Sequence, residues 1–225
     1  MDVTHEVFNQ PEPLVNYNLF EGNRPLRDAL KFNAPGLDTT GLVQLGARLG
    51  TAGMQAQARL ANVHLPELHT HDRFGRRLDE VEFHPSYHAL MAESVGAGLH
   101  GAPWAEKGNA SAHGRRDQFP APPEEGRGGG CPHVERAAGF MLFTELEPSS
   151  LCPVSMTYAV TPALRSNAAI YADWAPKLTS RHYDPARKIW RDKPGVTMGM
   201  GMTEKQGGSD VRANTTHAAP DGSDA

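Results

Sequence analysis

The sequence predicts a mainly α chain, a helical bundle followed by the start of a β domain. Three observations carry this. Apolar residues recur at helical spacing in several segments between Asp38 and Leu178. Past Pro194 the period changes from helical to two. The chain then stops with only two short candidate strands in place, and two strands alone are marginal. The expectation is a chain truncated just inside its second domain.

Residues 1–37 are punctuated by Pro11, Pro13, Gly22, Pro25, Pro35 and Gly36, and read as an extended arm with a short helix around Leu26–Phe32. Residues 38–194 form the helical domain. Asp38 can cap a helix whose residues Leu42, Leu45, Leu49, Met54 and Leu60 keep to one side. Gly46, Gly50 and Gly53 cost that helix ~1 kcal/mol each against alanine, which makes sense where another helix packs close. A polar connector follows, with a hairpin turning at Asp72–Gly75. A helix over Pro85–Leu99 turns Tyr87, Leu90, Met91 and Val95 inward.

Residues 105–132 are rich in Gly, Pro and mixed charge and cannot supply a core, so they read as a long loop. Helical spacing resumes over His133–Glu147 through Val134, Ala138, Met141, Leu142 and Leu146. SLCPVSMTYAVTPAL reads as a largely buried helix with Pro153 near its start and Pro162 closing or kinking it. Ala168–Leu178 is the last helix. Residues 195–225 are then the first strands of a β domain. Val196, Met198, Met200 and Met202 alternate with smaller residues, and Val211, Ala213 and Thr215 offer a second strand.

The 225 residues suffice for a sizeable core, but 39% apolar content with 23 Gly and 18 Pro is lean. A net charge of -4 gives no global argument for nucleic acid or anionic membrane. Two cysteines make a disulfide framework an unlikely reading and fit a reducing compartment. The N-terminus lacks the pattern of a signal peptide. No run reaches the ~18 apolar residues of a membrane helix. The expectation is no membrane contact and a cytoplasmic location.

GMGMTEKQGGSD, Gly199 to Asp210, is the stretch that carries chemistry. Gly199 and Gly201 leave one face bare, so a flat group can approach the backbone. Thr203 adds a hydroxyl, while Gly207, Gly208 and Ser209 can present N–H groups to an anion. This suits a large planar ligand bearing a phosphate. Neither standard phosphate fingerprint is present, and a tight turn chosen for backbone shape is the plain alternative.

The same stretch resembles the flavin-contacting segment of acyl-CoA dehydrogenases. There Thr-Glu is followed by Pro and a small-Gly-Ser-Asp ending; here Lys205-Gln206 stand where that pattern begins with Pro. With VFNQPEPLVNYNLF, RLANVHLPEL, RRLDEVEFHPSYH, SLCPVSMTYAVTP and SDVRANTT, the chain resembles the AidB branch, linked to alkylation stress, along nearly its whole length. The loop at 105–132 departs from that branch in its length and glycine content. The resemblance implies a helical N-terminal domain, a β domain and a C-terminal helical domain assembled as a homotetramer around FAD. Met202 and Thr203 would touch the flavin ring, and Gly207, Gly208 and Ser209 would face its pyrophosphate.

Glu204 would organise the loop, and Met156, Thr157 and Tyr158 would line the acyl or flavin pocket or simply pack. The carboxylate base of active relatives would lie beyond residue 225, so no catalytic residue is assigned here. Double-stranded DNA would be bound through a basic surface of the C-terminal domain. Two other readings stay open: a helical assembly or DNA-protection protein with FAD as a non-catalytic group, and a flavin enzyme with a small non-CoA substrate.

Other residues carry less. His69, His71 and Asp72, and the pair His84 and His88, lack a metal-site spacing such as HExxH, so no metal is assigned. Cys152 reads as a buried small hydrophobe and Cys131 as an exposed thiol. Glu135, Glu145 and Glu147 read as a solvated helix face.

Overall fold

The computed structural model describes residues 4–105 and 131–219, so most of the loop expected at 105–132 lies outside the described residues. Among the described residues eight α-helices occur: α1 Leu19–Gly22, α2 Arg24–Asn33, α3 Thr40–Leu49, α4 Ala52–Val63, α5 Pro85–Gly96, α6 Pro132–Leu146, α7 Leu151–Leu164 and α8 Ala168–Leu178. One antiparallel hairpin, β1 Glu67–His71 with β2 Arg77–Glu82, stands between α4 and α5. It turns through Gly75, whose φ of 78° is one that glycine adopts without strain. The protein is mainly helical, as the periodicities predict.

The N-terminal arm differs from its prediction. Residues 4–18 lack regular structure, but two helices follow within the arm, the second being the one expected around Leu26–Phe32; Asn18 caps α1 by accepting the N–H groups of Phe20 and Glu21, and Asn23 caps α2 at Leu26. Pro25 sits in the first turn of α2, where its missing N–H costs nothing. Leu19, Phe20, Leu26 and Leu30 are buried in the core. Proline there marks a helix start, not a break.

The long helix expected from Asp38 is two helices. Thr51 caps α4 through the N–H of Met54, and a Cβ on Gly50 would run into the carbonyl of Tyr17. The arm packs where the glycine lets it in, and the Asn16 N–H donates to the Gly50 carbonyl at 2.7 Å. Gly139 is a second close approach, with Leu99 2.8 Å from the place of its missing Cβ. The core gathers Leu45, Leu49, Leu90, Met91, Leu142, Phe143 and Val154. Burying each large apolar side chain stabilises the fold by ~1.5–3 kcal/mol before entropy is counted.

Three further expectations are corrected. Met141 is 54% exposed while Phe143, outside the predicted stripe, is fully buried: α6 meets neighbours on more than one side. Cys152 is exposed. Glu147 is buried just past α6, and its carboxylate accepts the N–H groups of Ser149 and Ser150, ahead of α7, at 2.8 Å each. Burial alone would raise its pKa, but these donors outweigh burial and hold it below the usual carboxylate value. Glu93 is also buried, with Arg48 at 2.8 Å. Among the described residues no helix is long and apolar enough to cross a membrane.

Candidate functional site

The segment after α8 folds back along the bundle. Gly195 is buried, and a Cβ there would meet the His182 carbonyl. The Val196 N–H donates to the Lys177 carbonyl at the end of α8, and the Lys177 ammonium donates to the carbonyls of Arg191 and Lys193. One lysine therefore fixes both limbs of the connection.

Residues 196–200 then run beside α7. The Met198 N–H donates to the Thr157 hydroxyl at 2.9 Å, and that hydroxyl lies 2.8 Å from the Pro153 carbonyl. Thr157 is wholly buried, so this is an anchor at the bundle surface. The Met200 N–H lies 3.2 Å from the Met156 sulfur. Of the α7 residues flagged in the sequence, Met156 and Thr157 thus meet the glycine-rich segment. Tyr158 instead joins Trp104 and His133.

The alternation of residues 196–203 is extended backbone, but it forms no strand. Residues 211–213, expected as strand, form a single 3-10 turn capped by the Asp210 carboxylate on the Arg212 N–H. A strand needs a neighbour to take its ladder bonds, and here α7 and local side chains take them instead.

Glu204 is the hub of the loop. Its carboxylate accepts the N–H groups of Thr215 at 2.9 Å and Thr216 at 2.8 Å, the Thr216 hydroxyl and the Gln206 amide. These donors, led by the Thr216 hydroxyl, pull its pKa to about 2. Asn214 closes the loop from the other limb, donating to the Met202 carbonyl at 2.7 Å. Glu204 is thereby an organiser, the role that the resemblance implies.

Gly207 and Gly208 make a turn, not an alternating nest. Neither has a positive φ, and the Gly207 N–H is spent on the Glu204 carbonyl at 3.2 Å. The N–H groups of Gly208 and Ser209 have no partner among the described residues. A Cβ on Gly208 would touch only the Thr203 methyl, at 3.7 Å, which puts Thr203 and Gly208 side by side. At Gly199 and Gly201 a Cβ would meet no described atom. The bare face expected at these two glycines is open.

Beside Gly199 lies a cleft of about 290 Å³, walled by Trp174, Trp190 and Tyr183 and rimmed by His182, Lys188 and Lys193. The two indoles stack at 4.0 Å. Sequence reading missed this pair, since two tryptophans in polar surroundings on either side of a turn give no periodic signal. His69 pairs with Glu82 at 2.8 Å, and His84 accepts the Ser86 N–H. No three metal-binding side chains gather among the described residues.

Residues 9–185 match the family described as "Adaptive response protein AidB N-terminal domain". The Escherichia coli (strain K12) protein named "Putative acyl-CoA dehydrogenase AidB" is 42% identical over 216 residues, covering 96% of this chain and 36% of that protein. The solved structure of Bd2924 in its apo-form superposes with a TM-score of 0.68 at 26% identity, over 93% of this chain and 37% of that one. Caenorhabditis elegans ACDH-11 in complex with C11-CoA gives 0.67 at 20% identity, over 96% of this chain and 33% of that one, and speaks for the fold alone. The chain spans about a third of the length of these relatives. It belongs to the AidB N-terminal domain family.

Proposed function

We propose that this chain is the N-terminal part of an FAD-dependent, acyl-CoA dehydrogenase-like protein of the AidB type, serving the response to alkylation damage. The observation that carries the reading is the glycine face at Gly199 and Gly201, open to approach yet fixed to α7 through buried Thr157. The residues fit a flavin dinucleotide. Met202 and Thr203 would meet the ring. Gly207, Gly208 and Ser209 would lie toward the pyrophosphate, with the free N–H groups of Gly208 and Ser209 as donors. When bound, FAD accepts a hydride from substrate. This chain binds and orients; the proton-abstracting base comes from beyond residue 225. Assembly as a homotetramer, contact with double-stranded DNA through a further domain and a cytoplasmic location belong to the same reading and rest on the family.

A second reading keeps FAD as a non-catalytic group in a helical assembly or DNA-protection protein. The loop of this chain serves it equally, since Glu204 is committed to Thr215, Thr216 and Gln206 and Asp210 to capping and Arg212. Turnover of an acyl-CoA by the intact protein separates the two.

The test of the site is flavin content. In the intact protein Gly208→Val should lower retained FAD about tenfold or more, while leaving the fold intact because only the Thr203 methyl is near. Flavin absorbance unchanged after purification would remove the assignment.

A further inference from the structure

Where α6 and α7 meet the short 3-10 turn Ala102–Trp104, aromatic rings and cations gather away from the glycine-rich segment. The Trp104 indole donates to the Tyr158 carbonyl at 3.0 Å, and the Trp104 and Tyr158 rings lie 5.1 Å apart. The Tyr158 hydroxyl is 2.6 Å from Nδ1 of His133, in the first turn of α6. The Arg136 guanidinium lies 4.0 Å over the Tyr158 ring and gives its Nε–H to the Leu99 carbonyl, and Arg165 lies 5.1 Å over Trp104.

The polar groups left over here are rich in donors. Whichever of His133 and Tyr158 holds the shared proton, the pair keeps one further N–H or O–H to give. The terminal nitrogens of Arg136 and the whole head group of Arg165 have no hydrogen bond among the described residues, and neither arginine has a carboxylate in ion-pair reach there. Arg136 is half-buried, and burial works against its charge. A half-buried guanidinium with no carboxylate in reach among the described residues is a ready partner for an anion.

We propose that His133, Arg136, Tyr158 and Arg165 form a binding site for an organic phosphate, with Trp104 as a flat wall beside it. Two guanidinium groups match a doubly charged, acceptor-only ligand, and their planar forks suit phosphate oxygens.

Inorganic pyrophosphate titrated calorimetrically into the intact protein is the probe, with succinate as a carboxylate control. Saturable pyrophosphate binding, weakened about tenfold by Arg165→Met, is the expected result. Arg165 is exposed, so its loss should leave the melting temperature in place; Tyr158→Phe gives a second, milder variant with a smaller loss. Gly208→Val should leave this binding unchanged, which separates it from the proposed flavin segment. Absence of pyrophosphate binding, preference for succinate, or binding that survives Arg165→Met would each overturn the proposal.

Discussion

In the bundle Leu49, Leu90, Leu142 and Phe143 lie fully out of water, whereas between Gly199 and Ala218 no side chain is buried. The bundle is specified by shape. Its core draws on α1 through α7, and glycines at positions 50 and 139 stand where another element touches the backbone. The later segment is specified by hydrogen bonds. One carboxylate, one asparagine and one threonine hydroxyl hold it in place. A packed core resists change at one point because it fills volume, while a loop tied at a few atoms can be released by a single substitution without disturbing the rest.

Phe143→Ala tests the first half of that contrast and should have the largest effect. The side chain is fully buried in the core cluster, so its removal should cost about 3–5 kcal/mol in urea unfolding. A cost below about 1 kcal/mol would mean that α6 is not locked by packing.

Phe143 also shows how far the sequence could be read. Helical spacing located α5, α6, α7 and α8 to within a few residues, because each buries apolar positions at that period. It missed Phe143 and misplaced Met141, since a helix packed on more than one side has no single stripe. The short helix expected around Leu26–Phe32 is α2, while α1 was missed, its Asn18 cap being the available signal. At the site, the openness of Gly199 and Gly201 and the organising role of Glu204 were legible from residue type and resemblance. The anchor on Thr157 and the Trp174–Trp190 stack were not, because contacts between distant segments leave no local pattern.

The junction between the two regions should respond to acid at an intermediate scale. His100 is buried, and its Nε2 lies 2.9 Å from the Ser180 carbonyl, just past α8. Burial, with Arg181 nearby, lowers its pKa from 6.5 to about 4, although the Ser180 bond works the other way. The unfolded chain therefore binds the proton first, so this group's stabilisation is full above about 6.5 and lost as pH falls toward 4. The loss amounts to about 3 kcal/mol. Urea midpoints at pH 7, 5.5 and 4.5 should fall more steeply for the native protein than for His100→Gln. Parallel curves would show that His100 does not couple the end of α8 to the bundle.

Glu204→Gln should have the smallest effect on global stability and the most local one. The amide loses the charge and one of the two oxygens that Thr215 and Thr216 share, so their backbone N–H groups should exchange with solvent faster. The urea midpoint of the bundle should stay where it is. In the native protein the same release needs strong acid. Because the donors hold the carboxyl near 2 against an ordinary 4.5, the loop's contribution is present above about 4.5 and is lost only as pH falls through about 2. At pH 3.5, then, native Thr215 and Thr216 amides should still be protected and those of the variant should not. If the variant moved the global midpoint as Phe143→Ala does, the two regions would be one cooperative unit, and the division drawn between packing and polar anchoring would fail.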